Sequence, residues 1–217
     1  MDKTNLYTWK RYLLILVLAF LLIGFGAVLE KTWRMTPESH FNLASKLLDQ
    51  NTPAKALPHL IMASKSKQDG IQMLASYRLA QLYHHGAKAI PVNMEKAVKY
   101  YEKAATLSFP IAQYQLALLY DVGDKIPENR ERAIQLMRDA AQTLPEAKYA
   151  LAVWIERGYL GEPNMDWIVS LYEQAAHAGI QNAMKGLIAI YHGGHGRFPE
   201  NVRRERYWRQ RLEGIKK

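Results

Sequence analysis

The sequence is dominated by a tandem repeat with a period of about 36 residues. Each clear copy opens on an alanine: Ala75, Ala112, Ala147 and Ala183. A leucine stands four residues further on: Leu79, Leu116, Leu151 and Leu187. A large residue stands eight further on and a glycine eleven further on: Tyr83 and Gly86, Tyr120 and Gly123, Ile155 and Gly158, Tyr191 and Gly194. Such self-similarity is typical of repeat proteins whose units stack into a solenoid.

The spacing within each copy predicts a pair of helices. Offsets of zero, four and eight residues fall on one side of an α-helix. A second segment follows in three copies and carries two adjacent alanines: Ala104 and Ala105, Ala140 and Ala141, Ala175 and Ala176. A fainter copy begins at Ser39. The pattern predicts five helix pairs: 38–50 with 53–66, 72–85 with 94–107, 110–122 with 130–143, 146–157 with 165–178, and 181–192 with 201–214. We expect Pro58 to kink the second helix of the first pair or to shorten it to the residues after 58.

Glycine and asparagine mark the predicted helix ends. The repeat glycine can take the left-handed conformation that closes a helix C-terminus. An asparagine precedes the second helix of four pairs, where its side chain can accept a hydrogen bond from a free backbone N–H: Asn93, Asn129, Asn164 and Asn201. The last helix has no small pair in the matching place, and we expect it to be a cap.

Residues 12–29 form an uncharged apolar run. As a helix this run spans roughly 27 Å, which matches the hydrocarbon core of a bilayer. Trp9 and Trp33 flank it, as is typical of the membrane interface. The sequence therefore predicts a tail at 1–11, a transmembrane anchor at 12–29, a linker at 30–37 and a helical repeat domain at 38–217. A cleaved signal peptide is the alternative, because small residues lie near the end of the run.

The orientation of the anchor follows from the basic residues beside it. Lys3, Lys10 and Arg11 precede the apolar run, and Lys31 and Arg34 follow it. The positive-inside rule then favours an N-terminus inside the cell by a small margin. We expect the repeat domain to lie outside the cytoplasm, and a cytoplasm-facing domain is the alternative.

Three stretches carry a common motif, Ala-x-x-x-Leu-Ala-x-x-Tyr/Ile-x-x-Gly, and a later helix that ends in two alanines. They are 75–86 with 96–105, 112–123 with 132–141, and 147–158 with 167–176, and the motif recurs at 183–194 with Ile in place of the second Ala. These stretches resemble the Sel1-like repeat family, a relative of the tetratricopeptide repeat. The resemblance implies an all-α fold, a right-handed α/α solenoid of about five helix pairs, here preceded by the transmembrane helix. It also implies a protein-binding scaffold, often in bacterial envelope assemblies, without catalytic residues.

The chain departs from the family pattern at one position of the motif. The family usually has glycine directly after the repeat leucine, where this chain has larger residues: Ala80, Ala117, Ala152 and Ile188.

No residue pattern indicates an enzyme. The chain has no cysteine, which excludes a thiolate nucleophile and a cysteine-ligated metal. A solenoid holds His84 far from the later repeat that contains His192 and His195. Those two histidines are only a pair without a carboxylate at fixed spacing, and a metal site needs three or four converging ligands. The glycines at 193–196 lack the strand and the Lys-Ser or Lys-Thr of a phosphate-binding loop. We therefore predict no catalytic residue, no cofactor and no metal.

One stripe along the first helices of the repeats is the candidate partner-binding surface. Offsets two, six and nine point away from the core offsets, yet this stripe carries tyrosines and aliphatic residues. We name it the groove stripe; it consists of Tyr77, Gln81, His84, Tyr114, Leu118, Asp121, Tyr149, Val153, Glu156 and Lys185. In one interpretation the tyrosines pack against the adjoining repeat. In the other the stripe lines the concave groove of the solenoid, where aromatic anchors capture a partner segment.

The last predicted helix is strongly basic. Its arginines form what we call the basic cap: Arg203, Arg204, Arg206, Arg209 and Arg211. They are interpreted either as the polar end of the solenoid or as a contact site for an acidic protein or anionic lipid. We expect no nucleic-acid partner, because no base-reading motif accompanies them.

Together these features predict a membrane-anchored helical-repeat adaptor. It would bind and position a partner protein in a bacterial envelope complex, at the inner membrane with the repeat domain in the periplasm. The alternative is a regulatory repeat protein that restrains a membrane receptor or sensor. A cell-wall enzyme or enzyme accessory is the least favoured function.

The anchor can be tested by extraction. We expect the full-length chain to stay in membranes after alkaline carbonate washing and a chain that starts near Thr36 to be soluble. Leu18→Arg should cost about 2.5–3.5 kcal/mol of insertion free energy, because it places a charge at the centre of the apolar run. Release of the unmodified full-length chain by carbonate would contradict the anchor.

Overall fold

The computed structural model describes residues 35–123, 126–194 and 199–215, and these ranges form ten α-helices. In chain order the helices are α1 (Pro37–Asp49), α2 (Pro53–Ala63), α3 (Asp69–His85), α4 (Met94–Ala105), α5 (Pro110–Val122), α6 (Arg130–Ala141), α7 (Pro145–Glu156), α8 (Met165–His177), α9 (Gln181–Gly193) and α10 (Val202–Ile215). Within these ranges there is no strand, only an isolated bridge between Ala87 and Ile90.

Each helix packs against the helix before it and the helix after it, and contact is most extensive within the pairs α1–α2, α3–α4, α5–α6, α7–α8 and α9–α10. Among the described helices that are not neighbours in sequence, only α1 and α3 make more than slight contact. This is the arrangement of an α/α solenoid. The predicted all-α fold with five helix pairs is therefore confirmed.

Small residues bring the helices together. The opening alanine of each repeat is completely buried, and so is the first alanine of each pair in the second helices. The residue after the repeat leucine, where the family pattern differs, is also completely buried at Ala80, Ala117 and Ala152. Because an alanine side chain ends at Cβ, neighbouring helix axes can approach closely at these positions.

The predicted asparagine caps are confirmed. In each case the side-chain oxygen accepts a hydrogen bond from the backbone N–H three residues later, over 2.9 Å at Asn93 and 3.0 Å at Asn129, Asn164 and Asn201. The backbone N–H of three of them also donates to the backbone carbonyl oxygen of the repeat tyrosine in the preceding helix: Asn93 to Tyr83, Asn129 to Tyr120 and Asn201 to Tyr191. This second bond ties the end of one helix to the start of the next.

Two repeat glycines show why no other residue suits the end of a first helix. Gly123 takes the left-handed conformation (φ 65°, ψ 12°), and its N–H donates to Leu119. A Cβ at Gly123 would lie 2.9 Å from the Cβ of Glu128, and a Cβ at Gly86 would lie 3.2 Å from the carbonyl oxygen of Ile90. Backbone conformation and the returning loop therefore both require glycine there.

The first pair differs in detail from the prediction. Helix α2 runs from Pro53 through Pro58 to Ala63, so of the two effects expected of Pro58, a kink or a helix shortened to the residues after 58, the shortening does not occur. Pro58 cannot donate to the carbonyl of Ala54, but Ala54 is exposed and water can supply that hydrogen bond. Helix α3 begins at Asp69 rather than at residue 72, because an acidic residue is favourable in the first turn.

The last helix has the character expected of a cap. Trp208 is the buried residue of α10, and its ring contacts His177 of α8 at 5.0 Å between centroids. The opposite side of α10 is exposed to solvent.

The anchor at 12–29, the tail before it and most of the linker lie outside the described residues. None of the helices that the structure describes is long and apolar enough to cross a membrane.

Leu116 tests the register of the core. It is completely buried on α5, and Leu116→Ala should reduce the free energy of unfolding by about 2–5 kcal/mol because it removes buried methyl groups and leaves a cavity. Val122 of the same helix is 69% exposed, so Val122→Ala is the matched control and should change stability by about 0.5 kcal/mol or less. Equal melting curves for Leu116→Ala and the unmodified chain would contradict the register.

Candidate protein-binding surface

The groove stripe lies partly inside the molecule. Its members from Tyr77 to Val153 are half-buried, whereas Glu156 and Lys185 are exposed. The stripe is therefore neither a fully solvated face nor part of the core.

Tyr77 joins two repeats. Its ring meets Phe109, which precedes the next first helix, edge to face at 5.0 Å between centroids, and it lies 6.1 Å from the ring of Tyr101 on α4. The side-chain amide of Gln81 donates to the Tyr77 hydroxyl over 3.0 Å. Burial raises the pKa of Tyr77, so the phenol stays neutral and hydrogen-bonded. At this position the packing interpretation of the stripe holds.

A similar ring contact occurs at α7, the first helix of the fourth pair. The ring of Tyr149 lies 5.9 Å from that of Tyr172 on α8, and the Tyr172 hydroxyl donates to Glu156 over 2.9 Å. Burial, and then the Glu146 carboxylate, raise the pKa of Tyr114. Tyrosines of the stripe thus present one edge to solvent while their rings stabilise the solenoid.

A cleft opens beside the stripe between the second and third helix pairs. It has a volume of about 250 Å³ and is lined by His84, Met94, Gln115, Leu118, Leu119, Val122 and Ile126. The cleft brings together two stripe residues from different repeats, His84 and Leu118. Val122 at its edge is 69% exposed, the largest exposure among the large apolar side chains of the described residues.

His84 is held in place at the polar end of this cleft. Its Nδ1 lies 3.2 Å from the Tyr101 hydroxyl, and its ring stacks on His85 at 4.3 Å between centroids. Tyr101 is 1% exposed. A buried partner of this kind orients the imidazole, so the cleft combines an apolar floor with one oriented polar group.

Asp121 lies on α5, the helix that contributes Leu118 and Val122 to the cleft. One of its carboxylate oxygens is inaccessible to solvent and has no hydrogen-bond partner among the described residues. Burial raises the pKa of Asp121, although the positive charge of Arg130 opposes that effect.

One kind of polar contact between repeats was not predicted from the sequence. The Tyr120 hydroxyl donates to Glu102 over 2.8 Å, and the Tyr191 hydroxyl donates to Glu173 over 3.1 Å. In both cases a repeat tyrosine reaches back to the second helix of the previous pair. This pairing could have been recognised in the sequence, because Tyr120 and Glu102 both recur 71 residues later, as Tyr191 and Glu173. In the copy between them, Ile155 and Arg138 replace both residues.

The basic cap divides into paired and unpaired arginines. Arg204 bonds to Glu173 and Tyr191 over 3.0 and 2.6 Å, and Arg209 bonds to Glu205 over 2.7 Å. Arg211 lies over the ring of Tyr207.

The side chains of Arg203 and Arg206 form no hydrogen bond or ion pair within the part of the chain that the structure describes, and both residues are exposed. They line an open depression with Val202, Tyr207 and Gln210. Contact of this face with an acidic protein or anionic lipid stays a prediction.

Within the ranges that are described, no three His, Cys, Asp or Glu side chains are placed to hold a metal ion. His192 lies 3.2 Å from Glu205, and His195 lies outside these ranges.

The repeat matches a known family model. The model of the Sel1 repeat matches residues 74–109, 110–142 and 145–180. These three segments of the chain are therefore similar to Sel1 repeats. The first and the last helix pair both lie outside the matched residues, yet they continue the same helical stack.

Solved structures agree with the Sel1 repeat fold. A Sel1 repeat protein from Oxalobacter formigenes is 22% identical with a TM-score of 0.71, and the match covers 83% of this chain and 74% of that one. The protein c5321 is a protective antigen present in uropathogenic Escherichia coli strains, and it displays an SLR fold. It is 16% identical with a TM-score of 0.63, and the match covers 86% of this chain and 48% of c5321. At these identities the likeness establishes the fold alone.

The packing of α3 against α4 and against the residue before α5 can be tested at Tyr77. Tyr77→Ala should destabilise the protein by about 2 kcal/mol, since it removes the ring contacts to Phe109 and Tyr101. Tyr77→Phe keeps those contacts and should cost less than about 1 kcal/mol. Chemical denaturation measures both values, and equal stability of the two variants would mean that the ring does not join the repeats.

Proposed function

We propose that the Sel1 repeat solenoid is a scaffold that binds a partner protein at the cleft between its second and third helix pairs. The single observation that carries this proposal is the exposed apolar cleft lined by His84, Leu118 and Val122. Sel1 repeat solenoids are in general protein-interaction scaffolds, which supports the same function.

The shape of the cleft indicates the kind of partner segment. Apolar side chains from α4, α5 and the following loop form its walls, and the imidazole of His84 and the amide of Gln115 are the polar groups in its lining. An apolar side chain of the partner would replace water in the cleft, and these two polar groups would bond to its backbone.

We place this scaffold in a membrane-bound assembly of the bacterial envelope. The anchor predicted at residues 12–29 supports this proposal, and the basic residues beside it favour a periplasmic domain. A structural adaptor would form a stable stoichiometric complex, whereas a regulator that restrains a membrane receptor would bind substoichiometrically and under some conditions only. Quantitative co-purification in mild detergent separates these two functions.

The cleft is tested by a charge at its exposed edge. Val122→Asp should abolish co-purification of the partner, because it places a carboxylate where the partner would bury apolar surface. The melting temperature should stay nearly unchanged, since the side chain is 69% exposed in the free protein. Label-free mass spectrometry of purified complexes gives the ratio of partner to bait.

The matched control is Ile215→Asp on α10, where isoleucine is 45% exposed, does not line the depression of the basic cap and is far from the cleft in the helix order. This variant should retain the partner in full. Equal loss in both variants, or normal retention by Val122→Asp, would contradict binding at the cleft.

A further inference from the structure

The first helix pair contains a histidine contact that the sequence spacing hides. His40 on α1 and His59 on α2 are separated by 19 positions, and their Nδ1 atoms lie 2.8 Å apart. The ring centroids are 5.1 Å apart with the planes inclined by 32°. His40 is 5% exposed and His59 is half-buried. The contact therefore joins the two helices of the pair at a place with little access to water.

The protonation states of the two rings decide whether this hydrogen bond can form. A hydrogen bond between two imidazole nitrogens needs a proton on one and a free lone pair on the other. The bond survives when both rings are neutral or when only one is protonated. It is lost when both rings are imidazolium, because two positive charges then face each other without a shared proton.

The folded pair resists the second proton more than the unfolded chain does. Burial, and then the neighbouring His40, lower the pKa of His59. In the unfolded chain each histidine takes up a proton near its ordinary pKa of about 6.5. In mildly acidic solution the opened helix pair consequently binds more protons than the closed one.

No neighbouring charge offsets this effect. The charged side chains of α1, α2, α3 and the α2–α3 connection form no hydrogen bond or ion pair with either ring in the ranges described: Glu38, Lys46, Asp49, Lys55, Lys65, Lys67, Asp69 and Arg78. A carboxylate in contact with the pair would have stabilised the doubly protonated form.

The pair also sits in the part of the described solenoid that is best suited to open. It is the first of the described pairs, and its second helix has Pro58 in its interior and no side-chain cap at Thr52. Terminal units of a solenoid pack on one side only and open at lower free energy than internal ones.

We infer that His40 and His59 form a proton-sensitive latch, which holds the first helix pair closed at neutral pH and releases it in mildly acidic solution. The latch goes beyond the proposed partner binding, which uses other residues. Its stabilisation is complete above about pH 6.5 and is lost as the pH falls, because the pKa of His59 in the folded chain is the lowered one. Each extra proton bound by the opened state favours opening about tenfold per pH unit.

Hydrogen exchange of the full-length chain tests the latch. Protection of residues 37–63 should fall between about pH 7.4 and about pH 5.4, after correction for intrinsic exchange rates. Protection of α7 and α8 is the internal reference and should stay constant. His59→Asn should remove the fall, because its amide can still bond to His40 and takes up no proton. His85→Asn, at an exposed histidine of α3, is the matched control and should behave like the unmodified chain.

Two results would overturn the inference. One is a change in the protection of α1 and α2 that does not exceed the change in α7 and α8. The other is a His59→Asn variant that loses protection in acid as the unmodified chain does. If His59→Asn does not fold, the unmodified chain still decides the first point and His40→Asn decides the second.

Discussion

Close contact between helices at alanine is the constraint on which this structure depends. Ala75, Ala112, Ala147 and Ala183 on the first helices are completely buried, and the alanine pairs of the second helices are buried as well. A longer side chain at any of these places would push two axes apart. Because the repeats contact almost exclusively their neighbours in sequence, the solenoid has no distant contact that could compensate for such a shift.

Polar contacts at the edges of the repeats complete what the alanines begin. Asparagine side chains cap the second helices. In three of the four cases the backbone N–H of the same asparagine donates a hydrogen bond to the backbone carbonyl of the repeat tyrosine. Two of these tyrosines also donate to a glutamate of the previous pair. The copy with Ile155 lacks both bonds of the tyrosine and relies on buried apolar area, with Ile155 2% exposed. Units of similar shape are therefore joined by different interactions along the solenoid.

The surface that we propose for binding is built from residues that also hold the repeats together. The ring of Tyr77 packs against Phe109 and that of Tyr149 packs against Tyr172 within its own helix pair, and both tyrosines are half-buried. The cleft is different, because Val122 and Leu118 are apolar groups that the solenoid leaves partly uncovered. Truncation of a stripe tyrosine will thus disturb folding and binding together, whereas a substitution at Val122 separates the two effects.

The sequence by itself determined the repeat, the five helix pairs, the buried offsets and the asparagine caps. These features follow from local spacing, since 3.6 residues per turn places offsets zero, four and eight on one side of a helix and a cap acts within three residues. Tertiary structure alone decided which side chains from different repeats meet. The pairing of His40 with His59, the bond from Tyr120 to Glu102 and the cleft between His84 and Leu118 depend on how one helix lies against another. Periodicity gives the direction of a side chain around its own helix, but the distance to a partner on another helix depends on the packing of both.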